Sequence, residues 1–475
     1  MEQYERLRKE YPRFYYHGYE TRWEKDRLLI TYDFQIEGLS SFAPQWVFPL
    51  DCGEDKGAES RMTKEMIFSL GMVELVSYWK ITCSPEVYVE AGELSPQQIR
   101  WWKHLYFNGL GEFFYVNGIQ EAEEENFMEI RCQCPDQETP ASFRKGSPAW
   151  ESSRKGFLVP IGGGKDSAVT LELLKQGGNL VYGYIINPRG ASLNTARRAG
   201  LPQERVMEAK RTLDPRMLEL NRQGFLNGHT PFSALAAFST LIGAALLGLD
   251  YIALSNESSA NESTVPGSKI NHQYSKSFEF EQDFHDYCDR YLPGSGYYFS
   301  LLRPLSEFQI AWFFAGMKQY HDIFRSCNRG SKTDSWCGSC PKCLFVCLIL
   351  SPFLNQEELR AIFGRDLLED LSLKEIFEKL VGIAREKPFE CVGSRDEVRE
   401  AIRLTVEKIL REGKPLPALL ACYREALGLP AAGQTAGISP YFTYYDEENL
   451  LPPELDRLVR ESLKRRAEEF KEAYP

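Results

Sequence analysis

Apolar residues recur at helical spacing over 63–79, with Met66, Leu70, Val73 and Val76 on one face, which predicts a helix. Upstream, 28–35 (LLITYDFQ) alternates apolar and polar positions in the manner of a strand. A second helix is expected to start at Ser95-Pro96, where Ser caps and Pro fits the first turn. Residues 135–156, rich in Pro, Ser, Lys and Arg, read as a linker. Beyond it, short apolar runs alternate with helical stretches. Residues 157–161 (FLVPI), 179–187 (NLVYGYIIN) and 251–255 (YIALS) predict strands, with a weaker one at 205–209 (RVMEA) and another at 297–304 (YYFSLLRP). Helices are expected at 168–175 and 231–249. This rhythm predicts an α/β fold, a doubly wound parallel sheet with ligands beyond the strand carboxyl ends. From about 352 the chain reads as mostly helical. Three domains are expected: an α+β N-terminal domain at 1–150, the parallel α/β domain at 151–350, and a helical part at 351–475.

Composition narrows the function. Across 475 residues, 56 Lys and Arg stand against 67 Asp and Glu, a net −11. That balance argues against a long nucleic acid as partner but not against a small anion held in one pocket. The segment 231–249 (PFSALAAFSTLIGAALLGL) comes nearest to a membrane span. Its Ser, Thr and Gly and the absence of flanking Lys or Arg make it a core helix, so no membrane is expected. The polar start, MEQYERLRKEYPRF, has no secretory core, which points to the cytoplasm. In that reducing compartment, clustered thiols are metal ligands or catalysts more often than disulfides.

The sharpest local signal is Gly162-Gly163-Gly164-Lys165-Asp166-Ser167 between the first strand of the middle part and its helix. Glycines there let bare N–H groups approach phosphate, and the helix adds its N-terminal dipole. Neither the Walker A spacing nor the dinucleotide fingerprint can be laid on it. At a later strand end, Asn256 and Glu257 face the expected crevice, and Glu257 with Glu262 offers oxygen ligands suited to Mg²⁺. The nearby polar run includes His272, Tyr274 and Lys276, while Glu279 and Glu281 read equally well as solvated helix positions. Five of the twelve cysteines lie at Cys327, Cys337, Cys340, Cys343 and Cys347. The first four suit a closed zinc site, the preferred reading. The last four copy a ferredoxin spacing, so iron–sulfur stays open.

The strand–GGGKDS–helix pattern resembles the S-G-G-x-D-S loop of the ATP pyrophosphatase (PP-loop) superfamily, with Gly162 in place of the first Ser. That resemblance implies a PP-loop fold in the middle part. It also implies ATP and Mg²⁺ held by Gly162, Gly163, Gly164, Lys165, Asp166 and Ser167, with Asn187 and Arg189 near the adenosine and Asn256 and Glu257 at the crevice. Deazaguanine-nitrile synthases of that superfamily carry a similar cysteine knuckle on zinc. Segments 68–80, 101–117, 162–167, 255–262, 271–281, 336–346 and 388–394 together resemble the UDP-N-acetyl-α-D-muramoyl-L-alanyl-L-glutamate epimerase family. The resemblance implies adenylation of the α-carboxylate of the terminal L-Glu of UDP-MurNAc-L-Ala-L-Glu. Proton exchange at the α-carbon then yields D-Glu, with AMP and pyrophosphate released. Asp166 and Ser167 would serve the first step. Cys391, His272, Lys276 and Tyr274 are candidates for the proton exchange by their chemistry. Another adenylating enzyme of the superfamily, tRNA-thiolating or deazaguanine-forming, or an ATP-binding module without turnover, are the alternatives. The rings Trp79, Trp101, Trp102 and Tyr106 are expected mainly as core.

Overall fold

The computed structural model describes residues 2–50, 58–120, 122–134, 156–261, 274–327, 329–388, 390, 392–429 and 438–473. Its first four strands are β1 (Arg13–Trp23), β2 (Arg27–Ile36), β3 (Ser40–Phe42) and β4 (Gln45–Pro49). Then come β5 (Glu86–Glu93), β6 (Glu129–Gln133), β7 (Gly156–Pro160) and β8 (Leu180–Ile186). The last are β9 (Val206–Thr212), β10 (Tyr251–Leu254) and β11 (Tyr297–Ser300). Among the described residues these form one 11-stranded sheet in the order β11-β10-β7-β8-β9-β4-β2-β1-β5-β6, with β3 on β2.

From β11 to β9 every pairing is parallel, as the βα rhythm requires. The sheet as a whole is mixed, because the parallel strands expected over 151–350 are continued by strands of the N-terminal part. The pairs β1–β2, β2–β3, β2–β4 and β4–β9 are antiparallel. Strands joined by connections as short as the one between Trp23 and Arg27 can only pair antiparallel. At the junction, Gln45, Trp46 and Val47 stand opposite Thr212, Arg211 and Lys210, so the N-terminal strands continue the same sheet.

Alternate residues of the strands feed two cores. Leu158, Tyr184, Ile252 and Tyr298 join one core with the helices Lys64–Trp79, Phe232–Leu247 and Phe278–Tyr291. Val159, Val181, Ile185, Ala253 and Phe299 join the other, with the helices Lys165–Gln176, Glu307–Ala315 and Pro341–Leu350. The helix Lys64–Trp79 is buried on every side and not only along the face read from its spacing. Ser95 and Gln98 form a reciprocal cap on the next helix, Pro96–Gly109. The small-residue stretch forms Phe232–Leu247, and Gly243 there lets Tyr184 and Leu158 pack against the backbone. No helix among the described residues is long and apolar enough to cross a membrane. Beyond residue 350 every regular element described is helical, ending in Pro453–Ala473.

Candidate nucleotide site and cysteine cluster

The glycine loop leaves the carboxyl end of β7, where the Ile161 N–H donates to the Tyr184 carbonyl at 2.8 Å. Gly163 has φ +85°, and a Cβ there would lie 2.7 Å from both the Ala191 Cβ and the Ser192 nitrogen. A Cβ on Gly164 would meet the Ser326 Oγ at 2.8 Å. Gly162, by contrast, faces open space. Gly163 is therefore required by backbone conformation and close approach, whereas a side chain at Gly164 would only displace the Ser326 hydroxyl. The helix Lys165–Gln176 follows at once. Its first side chain turns inward: Lys165 is 1% exposed and its ammonium donates to both Asp166 and Glu307. The Ser167 hydroxyl donates back to the Gly164 carbonyl at 3.2 Å.

The charges here are set against one another. Burial pushes the Asp166 carboxyl up, but Lys165, Lys342 and Lys276 more than offset it and hold the group below its ordinary value. Burial also opposes the charge on Lys165, and Asp166 with Glu307 reverses that effect, so its ammonium is retained. Glu307 moves up through burial, with Lys165 opposing and the neighbouring Asp166 and Glu257 adding to the rise. Asp166 and Glu257 thus act on Glu307 while lysines offset their charge.

The strand ends are tied by one buried guanidinium. Arg303 Nε and Nη2 meet Glu281 at 2.9 and 2.8 Å, and Nη1 and Nη2 donate to the carbonyls of Glu257 and Lys276 at 2.5 and 2.6 Å. Glu281, read above as a solvated position, is 1% exposed and also accepts from the Ser300 N–H. This clamp explains why only the first half of 297–304 is strand: the chain turns after Ser300 and carries Arg303 inward. Glu257 is 4% exposed, and Asn256 is fixed through its backbone by the Ser300 hydroxyl at 2.7 Å. Lys276 is half-buried. Glu262, His272 and Cys391 lie outside the described residues.

Asn187 and Arg189 sit at the end of β8. Asn187 adopts φ +51° and its side-chain amide closes on the backbone of Arg211, donating at 3.0 Å and accepting at 2.9 Å. It thereby shapes the strand end. Arg189 is exposed and precedes the helix Gly190–Arg198. Of the aromatic candidates, Trp79, Trp102 and Tyr106 are fully buried and Trp101 partly so, as expected of core.

The cysteine sulfurs of 327, 337, 340 and 343 gather within 4.8 Å of one another. The pairs 327–340, 337–343 and 340–343 are 3.7, 3.7 and 3.5 Å apart. Sulfurs about 2.3 Å from a zinc ion would form a tetrahedron with edges of about 3.8 Å, so the set fits that ion. Amide N–H groups of Gly330 and Cys337 donate to the Cys327 sulfur at 3.1 and 3.4 Å, as suits a thiolate. Cys347 stands apart as a buried helix residue whose thiol is pushed up by burial. The ferredoxin-type set, which needs Cys347, is not the one brought together.

Hydrogen bonds tie the segment around the knuckle to the glycine loop and to the helix Gly190–Arg198. The Arg325 N–H donates to the Gly163 carbonyl at 2.8 Å, and the Ala191 N–H donates to the Asp334 carboxylate at 2.8 Å. Residues not singled out from the sequence complete the surroundings. Glu307 opens a capped helix, Glu397 accepts from the Ser394 N–H and Oγ–H at 2.7 Å, and Lys342 is 8% exposed. The sequence signals were a lysine inside Cys-Pro-Lys-Cys and an arginine inside the apolar run FSLLRPL. Further along, a cavity of about 1360 Å³ opens between the helix Pro96–Gly109 and the start of Phe278–Tyr291. His104, Phe114, Tyr115, Tyr274 and Ser277 line it. His104 there meets Glu124 at 2.8 Å and Glu279 at 3.2 Å, so Glu279 is exposed yet paired.

Two family models match the chain, the MurL N-terminal domain over residues 5–301 and the MurL C-terminal domain over 323–427. A protein of Xanthomonas oryzae pv. oryzae named UDP-N-acetyl-alpha-D-muramoyl-L-alanyl-L-glutamate epimerase is 36% identical over 360 residues, 74% of this chain and 77% of that one. A protein of Salinispora tropica with the same name is 32% identical over 414 residues, 86% of each chain. One from Micromonospora, again so named, is 31% identical over 424 residues, covering 88% and 91%. No solved structure matches.

Proposed function

The chain belongs to the MurL family, and on that premise we propose that it epimerises the terminal glutamate of UDP-MurNAc-L-Ala-L-Glu with ATP, in cytoplasmic peptidoglycan precursor synthesis. The observation that carries the substrate is the shared name of relatives aligned over most of both chains. What supports the ATP half is the glycine loop at the end of a parallel strand, with Asp166 set among Lys165, Lys276 and Lys342.

The chemistry requires activation. Removing the α-proton of a free carboxylate would place a second negative charge beside the first. In the proposed course a carboxylate oxygen of the L-Glu attacks the α-phosphorus of ATP and pyrophosphate leaves. The α-carbon of the mixed anhydride then loses its proton on one face and regains one on the other. Water next cleaves the anhydride, releasing AMP and the D-Glu product. The backbone N–H groups of Gly163 and Gly164 and the first turn of the helix would face the leaving pyrophosphate. Asp166 and Glu257 would hold Mg²⁺, which supplies positive charge against the phosphates. Lys276 lies beside that space and is a described candidate for the proton exchange; His272 and Cys391 remain candidates by chemistry. The four cysteines are proposed to hold a structural zinc ion. The cavity beside Tyr274 and Ser277 is proposed to take the muramoyl dipeptide, since it runs up to the segment that carries Lys276.

The test is incubation of the protein with MgATP and the UDP-muramoyl dipeptide. Stoichiometric AMP and pyrophosphate, together with D-glutamate in the hydrolysed product, are expected. Release of ADP, or retention of L-glutamate throughout, would overturn the reading.

A further inference from the structure

We propose that Glu307 is a positioning residue of the nucleotide site: it shares the charge of Lys165, so that Asp166 keeps a negative charge for the Mg²⁺ of MgATP. The inference deepens the nucleotide reading above and rests on it. Its first support is a set of direct contacts. The Lys165 ammonium donates to Asp166 Oδ1 and to Glu307 Oε2. The side chains of Lys165 and Glu307 are 1% and 2% exposed, whereas that of Asp166 is 29% exposed. The three groups thus run from a sealed ion pair to one carboxylate that reaches solvent. One ammonium stands against two carboxylates, and the uncompensated charge belongs to the member that a cation can approach.

The second support is how Glu307 is held. Lys165 and Glu307 are the first residues of the helices Lys165–Gln176 and Glu307–Ala315, which share one core. A cation at a helix start is disfavoured by the helix dipole and a carboxylate is favoured, so Glu307 suits its own place and offsets the cost of Lys165 in its own. Ser306 and Gln309 cap the second helix reciprocally, which fixes its first turn. From the other side the chain closes over it: a Cβ on Gly393 would lie 3.0 Å from the Glu307 Cβ and 3.1 Å from Glu397 Oε2. The third support is that stability alone does not call for such a pair, since apolar residues of similar volume often serve as well or better. With the ammonium to itself, Asp166 would be neutralised as a ligand. Shared with Glu307, the same ammonium orients Asp166 without cancelling it. Lys165 then serves the nucleotide through Asp166 and not by touching phosphate.

The experiment is calorimetric titration of the whole protein with ATP, over a series of Mg²⁺ concentrations and in Mg²⁺-free buffer. Wild type is compared with Glu307→Gln, Glu307→Asp and the double variant Lys165→Met with Glu307→Gln. Glu307→Gln leaves the Lys165 charge to Asp166 alone. The Mg²⁺ concentration that half-saturates the effect should then rise by roughly ten- to a hundredfold, while ATP binding without Mg²⁺ should not weaken. Glu307→Asp, which keeps the charge, should restore most of the Mg²⁺ response. The double variant removes the ammonium together with its second partner and should respond to Mg²⁺ nearly as wild type does. A folded Glu307→Gln protein with the wild-type Mg²⁺ requirement overturns the assignment. If that variant does not fold, the double variant decides, because it leaves no buried charge without a partner; loss of its Mg²⁺ response overturns the assignment equally. If wild type itself shows no Mg²⁺-dependent ATP binding, the nucleotide reading fails, and this inference with it.

Discussion

Arg303 and Glu281 form an ion pair with both side chains sealed from water, 0% and 1% exposed, at the point where three strand-end segments meet. The guanidinium makes four contacts, and two of them are to main-chain carbonyls on either side of the candidate site. Removing one partner leaves a buried charge without its complement. Arg303→Met should therefore cost about 3–5 kcal/mol of stability, while the double change Arg303→Met with Glu281→Met should recover much of it. Urea denaturation of both proteins checks this. Equal midpoints for the single and double variants would refute the pairing argument.

The three loop glycines should not behave alike. Gly163→Ala would have to hold φ near +85° and push into Ala191 and Ser192, costing about 1–2 kcal/mol from the backbone alone. Its MgATP affinity is expected to fall by roughly five- to thirtyfold, the equivalent of that energy. Gly162→Ser points into open space and should bind as wild type does. Titration of both variants with MgATP tests the contrast.

Two cysteine variants separate the alternative metal sets. Cys327→Ser removes a member of the assembled cluster and is expected to lose the bound metal. Cys347→Ala leaves the cluster whole and should keep one zinc ion per chain. Elemental analysis of the purified proteins decides it, and the reverse pattern would favour the ferredoxin-type set.

Lys80 supplies a pH dependence of stability. Burial, with Arg211 adding, lowers its pKa from 10.5 to about 8. Between those values the unfolded chain holds a proton that the folded chain does not, so this residue makes stability rise with pH across the window. Below pH 8 its unfavourable contribution is constant. The gain is bounded at about 3 kcal/mol, at about 1.4 kcal/mol per pH unit. Comparing the change in urea midpoint between pH 8 and 9 should show wild type gaining stability relative to Lys80→Met, since the tyrosines contribute equally to both proteins. Parallel slopes would count against it.

The sequence carried the elements whose periodicity is local. The helix at 64–79, the capped start at Ser95 and the strands flanking the glycine loop all follow from spacing and capping chemistry. It could not carry pairings made by residues distant in the chain. Nothing in LLITYDFQ or QWVFP says that β4 will lie beside β9, because an alternating strand satisfies its hydrogen bonds with any neighbour of suitable length. The same holds at the site. Asp166 and Cys327 announce themselves by motif, whereas Glu307 and Arg303 become informative only when their burial is known. A charged residue within an apolar run is the signal that was present, since such a group must find a partner when the run is buried. Glu281 shows the limit of a polar helix face as evidence, because one of its acids is solvated and another is sealed.

The hydrogen bonds between β4 and β9 have a consequence for how the protein can be cut. Expressed alone, residues 1–150 would leave β4 without its partner, and the remainder would leave β9 open along the same edge. Each fragment would then present a bare row of N–H and C=O groups, the kind of edge that recruits other chains. Truncation near the 135–156 segment is therefore expected to yield sticky fragments, each a template for the missing half. Co-expression of the two pieces should restore a soluble complex by re-forming that ladder.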